Sequence, residues 1–173
     1  MVSIKIPEGV KAEINGNLVK VTGSLGTNER KFNDGLMQVK IENGELVIIK
    51  TNYKKLDKKA SNVIAAFTKE ITNDFKGVNE YFETNMEAVF SHFPITLEVQ
   101  GKNLIIKNML GERVPRNSSI VGDSKIEIKD KLLRIYGTKL DDVMQTAANI
   151  RNTTKVKNKD ERVFQDGIYF SIE

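Results

Sequence analysis

Cysteine and tryptophan are both absent from this 173-residue chain. Without cysteine there is no disulfide, no thiolate metal site and no thiol nucleophile. A single histidine, His92, leaves no His-rich metal centre. No apolar run approaches the roughly 20 residues needed to span a bilayer. Met1 to Pro7 lacks the charged start and long apolar core of a signal peptide. A soluble, intracellular protein with no membrane partner is therefore expected. Glycine-based phosphate cradles are missing too. Gly23-Ser24-Leu25-Gly26 lacks the Gly-Lys-Ser/Thr end of a P-loop, and there is no Rossmann fingerprint.

What remains is an ordinary globular composition. Hydrophobic residues make up 39% of the chain, enough for one average domain or two small ones with modest cores. The 27 Lys+Arg against 23 Asp+Glu give a formal charge of +4. That excess matters to an anionic partner only where the cations cluster.

Taken in order, Val2, Ile4 and Ile6 alternate with polar residues and predict a short strand or arm. Val10, Ala12 and Ile14 alternate up to Asn15-Gly16, a hairpin turn, and Leu18, Val19 and Val21 resume. Arg30, Lys31 and Phe32 lie near another strand. Val39 and Ile41 lead through Asn43-Gly44 into Leu46-Val47-Ile48-Ile49, a second hairpin. A basic stretch, Lys54, Lys55, Lys58 and Lys59, precedes a helix with Ala60, Ile64, Phe67 and Ile71 on one face, Asp57 as its cap and Gly77 as its stop. Between Tyr81 and Pro94 the alternation of Met86, Ala88 and Phe90 suggests a strand.

The plan then repeats. A shift of 85 positions lays Ile14 on Val99, Gly16 on Gly101 and Gly26 on Gly111; a shift of 87 lays Val39 on Ile126, Ile41 on Ile128 and Leu46 on Leu133. A second helix from Thr138, read as its N-cap, places Leu140, Val143, Met144, Ala147 and Ile150 on one face. The expectation is an α+β protein of two tandem, similar domains, 1–79 and 80–173, each a small mostly antiparallel sheet packed against a helix. Only the second half carries a basic extension, which predicts a scaffold or protein-contact role for the first and anion binding for the second.

That extension holds Arg151, Lys155, Lys157, Lys159 and Arg162, then Phe164, Asp166-Gly167 and Tyr169. Cations spaced along a short segment suit a phosphate backbone, since each can neutralise one phosphate and release counterions. Phe164 and Tyr169 either pack or offer a flat face to a base. Asp166 and Gly167 read as a turn that aims the segment. The stretch Gly111 to Ser119 adds Arg113 and Arg116, whose guanidiniums fork onto phosphate oxygens, with Ser118 and Ser119 as neutral donors. The plainer alternative for both stretches is a solvated polar loop. His92 as a general base would need a nucleophile and an orienting partner, which no spacing supplies. Asp141-Asp142 suits the first turn of a helix better than a metal. No metal, cofactor or small-molecule substrate is expected. A small His92-dependent enzyme and a strand-adding protein-interaction module are the alternatives to nucleic-acid binding.

The stretch from Gln145 to Tyr169 closely resembles the C-terminal signature of the sixth large-subunit ribosomal protein family, in its archaeal and eukaryotic branch. The matching residues are Gln145, followed by basic positions and then Arg162, Phe164, Asp166, Gly167, Ile168 and Tyr169 in an Arg-x-Phe-x-Asp-Gly-aliphatic-Tyr element. Ser91-His92-Phe93-Pro94, Asn108-Met109-Leu110-Gly111-Glu112-Arg113 leading to Pro115-Arg116, and Gln145-Thr146-Ala147-Ala148 extend the likeness over essentially the whole chain. The resemblance implies two tandem α+β domains and a non-catalytic structural protein of the cytoplasmic ribosome. It implies binding to large-subunit rRNA, mainly through the second domain, near the sarcin-ricin loop and the factor-binding stalk base, with neighbouring large-subunit proteins as further partners. Carried over by position, the RNA contacts are Arg113 and Arg116 in the loop and Arg151, Lys155, Lys157, Lys159, Arg162 and Tyr169 in the tail.

Overall fold

A computed structural model describes residues 2–42, 44–51, 57–160 and 162–171, with only the backbone of Asp57 and Lys59. The expectations for Asn43, Lys54 and Lys55, and for Asp57 as a side-chain cap, fall outside what is described. Contacts divide the chain between Tyr81 and Phe82, two residues beyond the expected boundary, because Asn79 and Glu80 still donate their N–H groups to the Lys76 carbonyl at the end of the first helix.

The first unit contains β1 (Val2–Lys5), β2 (Lys11–Asn15), β3 (Leu18–Thr22), β4 (Thr27–Lys31), β5 (Met37–Glu42), β6 (Glu45–Lys50) and α1 (Asp57–Gly77). Its strands form two antiparallel sheets, ordered β1-β6-β5 and β2-β3-β4. Asn15 pairs with Leu18, so the hairpin loop is Gly16-Asn17, and Gly16 takes φ 61°, a conformation glycine adopts without strain. Val19, Val21, Leu46 and Ile48 face Ile64, Phe67, Ile71 and Phe75 of α1 in one core. Strand β4 is polar, and Arg30 ties it to α1: its Nε donates to Asp74 Oδ2 at 2.6 Å and its Nη1 to Glu70 Oε2 at 3.0 Å.

The second unit repeats this plan with β7 (Phe82–Val89), β8 (Thr96–Gln100), β9 (Asn103–Lys107), β10 (Arg116–Ser119), β11 (Lys125–Lys129), β12 (Leu132–Gly137) and α2 (Leu140–Thr154), and adds β13 (Gly167–Phe170). Its sheets are β10-β9-β8 and β11-β12-β7-β13. Gly101 opens the β8–β9 loop with φ 58°, as Gly16 does 85 positions earlier. β7 stands beside β12 as β1 stands beside β6, and β13 is the strand without a counterpart. Met86, Leu104, Ile106, Leu133 and Ile135 meet Val143, Ala147 and Ile150 of α2 in the second core.

The strands expected at residues 2–6 and near Arg30 are present as β1 and β4, and each half holds two antiparallel sheets, in which β1 and β7 join one hairpin and β4 and β10 extend the other. Three expectations change. The presumed polar loop ends at Pro115, and Arg116 to Ser119 pair with β9. The N-cap of α2 is Lys139, not Thr138; Lys139 has extended φ/ψ and makes no side-chain cap bond. Asp166-Gly167 is not a turn. Gly167 begins β13 opposite Val89 and lies outside the positive-φ region, while Asp166 is buried and accepts the Ser91 N–H. Asp166 thus tethers the segment after β7 to the start of β13.

Candidate nucleic-acid interface

The site forms where α2 ends. The last carbonyls of a helix have no intrahelical partner and concentrate partial negative charge, a poor surface to present to an anion. Here Arg116, on β10, covers it. Its Nη1 donates to the carbonyls of Thr153 at 2.9 Å and Lys155 at 3.1 Å. Its Nε and Nη2 fork onto both carboxylate oxygens of Glu112. The hydrogen bond to Glu112 raises the Arg116 pKa, and the same bond holds the Glu112 carboxyl below its ordinary value. Arg116 therefore has four of its five donors engaged within the chain. Arg151, in the last turn of α2, adds a second compensating charge, with its guanidinium 6.0 Å from the Phe170 ring centroid.

The segment leaving α2 is anchored by Val156, buried in the second core, and by Thr154. The Thr154 hydroxyl donates to the Ile150 carbonyl at 3.1 Å and accepts the Ile168 N–H at 3.2 Å, so it fastens β13 to the helix end. Lys155, between these anchors, and Lys157 and Lys159, beyond Val156, are exposed. Lys159 Nζ lies 4.5 Å from the Phe164 ring centroid. Arg162 pairs bidentately with Asp160 through Nε and Nη2, and its side chain is 90% exposed. That pairing lowers the Asp160 pKa and raises that of Arg162. An exposed pair of this kind contributes little and opens readily toward a better anion.

Two clefts flank the helix end and share Asn152. One, of about 240 Å³, is lined by Arg151, Lys155, Phe164, Gly167 and Tyr169. The other is broader and more open, between Arg116, Asn117 and Ser119 of β10 and Asn149 and Lys157. The structure therefore brings Arg116, Arg151, Lys155, Lys157 and Tyr169 to the two clefts. Arg113, Lys159 and Arg162 line neither. Arg113 is exposed and makes no hydrogen bond or ion pair among the described residues. Tyr169 donates its hydroxyl to the Gln165 carbonyl at 3.2 Å. Gly167 owes its smallness to this ring, since a Cβ there would stand 3.0 Å from Tyr169 Cε2.

Ser118, read as a donor to the partner, is instead buried on the inner face of β10. Asn149 and Asn152 were not singled out in the sequence. Their i,i+3 spacing on the polar face of α2 was the available signal. Asn149 Nδ2 donates to the Ser119 carbonyl and lies 3.3 Å from its hydroxyl. His92 is exposed in a bend, and no group of three or more metal-ligating side chains occurs among the described residues.

Residues 6–81 and 93–167 each match the family model described as ribosomal protein L6, so the two matched segments correspond to the two units. The chain is 38% identical to the large ribosomal subunit protein uL6 of Methanosarcina mazei over 96% of its own length and 93% of that protein. It is 41% identical to that of Methanobrevibacter smithii, covering 96% and 92%, and 41% identical to that of Staphylothermus marinus, covering 96% and 90%. The duplicated sheet-and-helix unit, the basic segment closed by β13 and these matches lead to one conclusion: the chain belongs to the ribosomal protein L6 family, and it is a structural ribosomal protein, not an enzyme.

Proposed function

We propose that this protein is built into the large ribosomal subunit by its second unit, which holds rRNA near the sarcin-ricin loop and the base of the factor-binding stalk. The observation that carries this reading is the pair of clefts at the C-terminal end of α2, into which one continuous stretch delivers Arg151, Lys155 and Lys157. Lysine and arginine neutralise phosphates of folded RNA, while backbone and amide groups add positioning bonds without reading sequence. Arg113, Lys157 and Lys159 serve as direct phosphate partners. Arg162 joins them by exchanging Asp160 for a phosphate. Arg116 acts one step back: it cancels the negative helix end and fixes β10 against α2, which keeps the groove open to an anion. Holding RNA in this region supports translation-factor binding. The first unit, without a basic tail of its own, meets solvent or neighbouring large-subunit proteins.

The test is cosedimentation of the tagged protein with large subunits across a salt gradient. Comigration released only at high salt is expected, because phosphate contacts exchange with salt ions. Absence from the large-subunit peak at low salt would overturn the proposal.

A further inference from the structure

We infer that the smaller cleft, between the end of α2 and β13, receives the ring of one unpaired RNA base, stacked against Phe164 and Tyr169. This rests on the rRNA-binding reading above and names the element of RNA that the cleft takes.

Four observations lead there. First, Phe164 and Tyr169 are 38% and 41% exposed and belong to neither core, yet both line the same small cleft. Phosphate neutralisation gives no reason for two half-exposed aromatic rings beside a run of cations. Stacking does, because every base has a π-face and gains from a flat side chain. Second, both rings are held in place. Tyr169 lies back over Gly167, where a Cβ would meet it at 3.0 Å, and its hydroxyl is bonded to the Gln165 carbonyl. Phe164 has the Lys159 ammonium over its ring. A fixed ring loses little entropy when a partner stacks on it. Third, the rim is polar in the way a base edge requires. The Asn152 amide offers both a donor and an acceptor, and Arg151 supplies a planar cation. Fourth, the volume of about 240 Å³ lies below the roughly 300–1,000 Å³ of sites that enclose a drug-sized ligand. A duplex presents no free base face, and the deep groove of A-form RNA is too narrow for side chains to read, so the occupant is a base turned out of a loop or bulge.

The experiment uses the full-length protein and deproteinised archaeal large-subunit rRNA as the probe. Binding is measured over a salt series, and unpaired bases are footprinted with reagents that attack the Watson–Crick edge. Phe164→Leu keeps the apolar bulk and loses the flat face. It is expected to weaken binding about 5- to 150-fold, the range seen when one stacked base loses its aromatic partner, with the salt slope unchanged because no phosphate contact is lost. One unpaired base shielded by the wild type should become reactive, and Phe164→Tyr should restore both affinity and shielding. Gly167→Ala, which crowds the Tyr169 ring without removing an aromatic group, should expose the same base. Ultraviolet cross-linking of the wild type should join that nucleotide to the peptide carrying Phe164 or Tyr169. Wild-type affinity for Phe164→Leu at every salt concentration, or a cross-link only to base-paired nucleotides, overturns the base site and leaves the phosphate reading standing. A wild-type protein that fails to bind the rRNA even at low salt overturns the reading underneath.

Discussion

Arg113 and Arg116 stand three residues apart and have the same chemistry, yet they are set up for different outcomes when truncated. Arg116→Ala removes four hydrogen bonds, two of them to carbonyls at the end of α2. The expected loss is about 1 to 2 kcal/mol of stability in the second unit, from bonds that involve a charged donor at a partly buried position. Thermal or denaturant unfolding checks this; unchanged stability would mean that water replaces the guanidinium at no cost. The effect also carries a pH signature. Glu112 has its pKa lowered in the folded state from the ordinary 4.5, chiefly by its hydrogen bond to Arg116. Its contribution is therefore complete above about pH 4.5 and is lost as the pH falls through the lower folded value. The stability gap between wild type and Arg116→Ala should be flat near neutrality and narrow in acid. A gap that persists undiminished to pH 3 would show that the helix-end carbonyls alone account for it. Arg113→Ala, by contrast, breaks no hydrogen bond or ion pair among the described residues. It should leave the unfolding midpoint in place, weaken rRNA binding and reduce the slope of log K against log salt by about one. An unaltered slope would remove Arg113 from the set of phosphate partners.

At the scale of elements, the junction between α2 and β13 decides whether the tail is an interface or a loose end. Thr154 is buried, and its hydroxyl joins the two by donating to Ile150 and accepting from Ile168. Thr154→Val keeps the shape and strands the Ile168 N–H. A buried unsatisfied donor costs about 1 to 3 kcal/mol, and hydrogen exchange at Ile168 should accelerate well before the rest of the sheet is affected. Protection equal to that of the wild type would mean that water fills the gap. This junction also marks the limit of what the sequence reveals. Hairpins were legible at Gly16 and Gly101 because a two-residue loop needs positive φ and glycine meets that need. Both helices were legible because their apolar residues recur with helical period. Strand β10 was not, and β4 was placed only near Arg30 without its bounds, because their inward positions include Ser118 and Asn28, and a polar residue on a buried face erases the alternation that announces a strand. The place of β13 beside β7 could not be read either, since no local pattern encodes a pairing between Gly167 and Val89. In the candidate site, the charge of the segment was legible but the spending of that charge was not. The carbonyls that occupy Arg116 lie 37 and 39 residues away in sequence.

The whole molecule consists of two units with separate cores, built to one plan and equipped differently. Because each core is closed within its own unit, residues 82–173 produced alone should fold cooperatively and keep most of the rRNA affinity, while residues 1–81 alone should fold and bind weakly. Circular dichroism and the same salt-dependent binding assay test both halves. An unfolded second unit would show that the first acts as its template. One further consequence follows from β13. It pairs along the free side of β7, and it is made after every other described strand of the unit. Until it emerges from the ribosome that is synthesising the protein, β7 presents a bare edge, the kind of surface that recruits foreign strands and leads to aggregation. The same event that hides this edge brings Phe164, Gly167 and Tyr169 to the helix end. A chain cut short before Gly167 thus lacks the residues that close one side of the smaller cleft and leaves the β7 edge open to strands of other molecules.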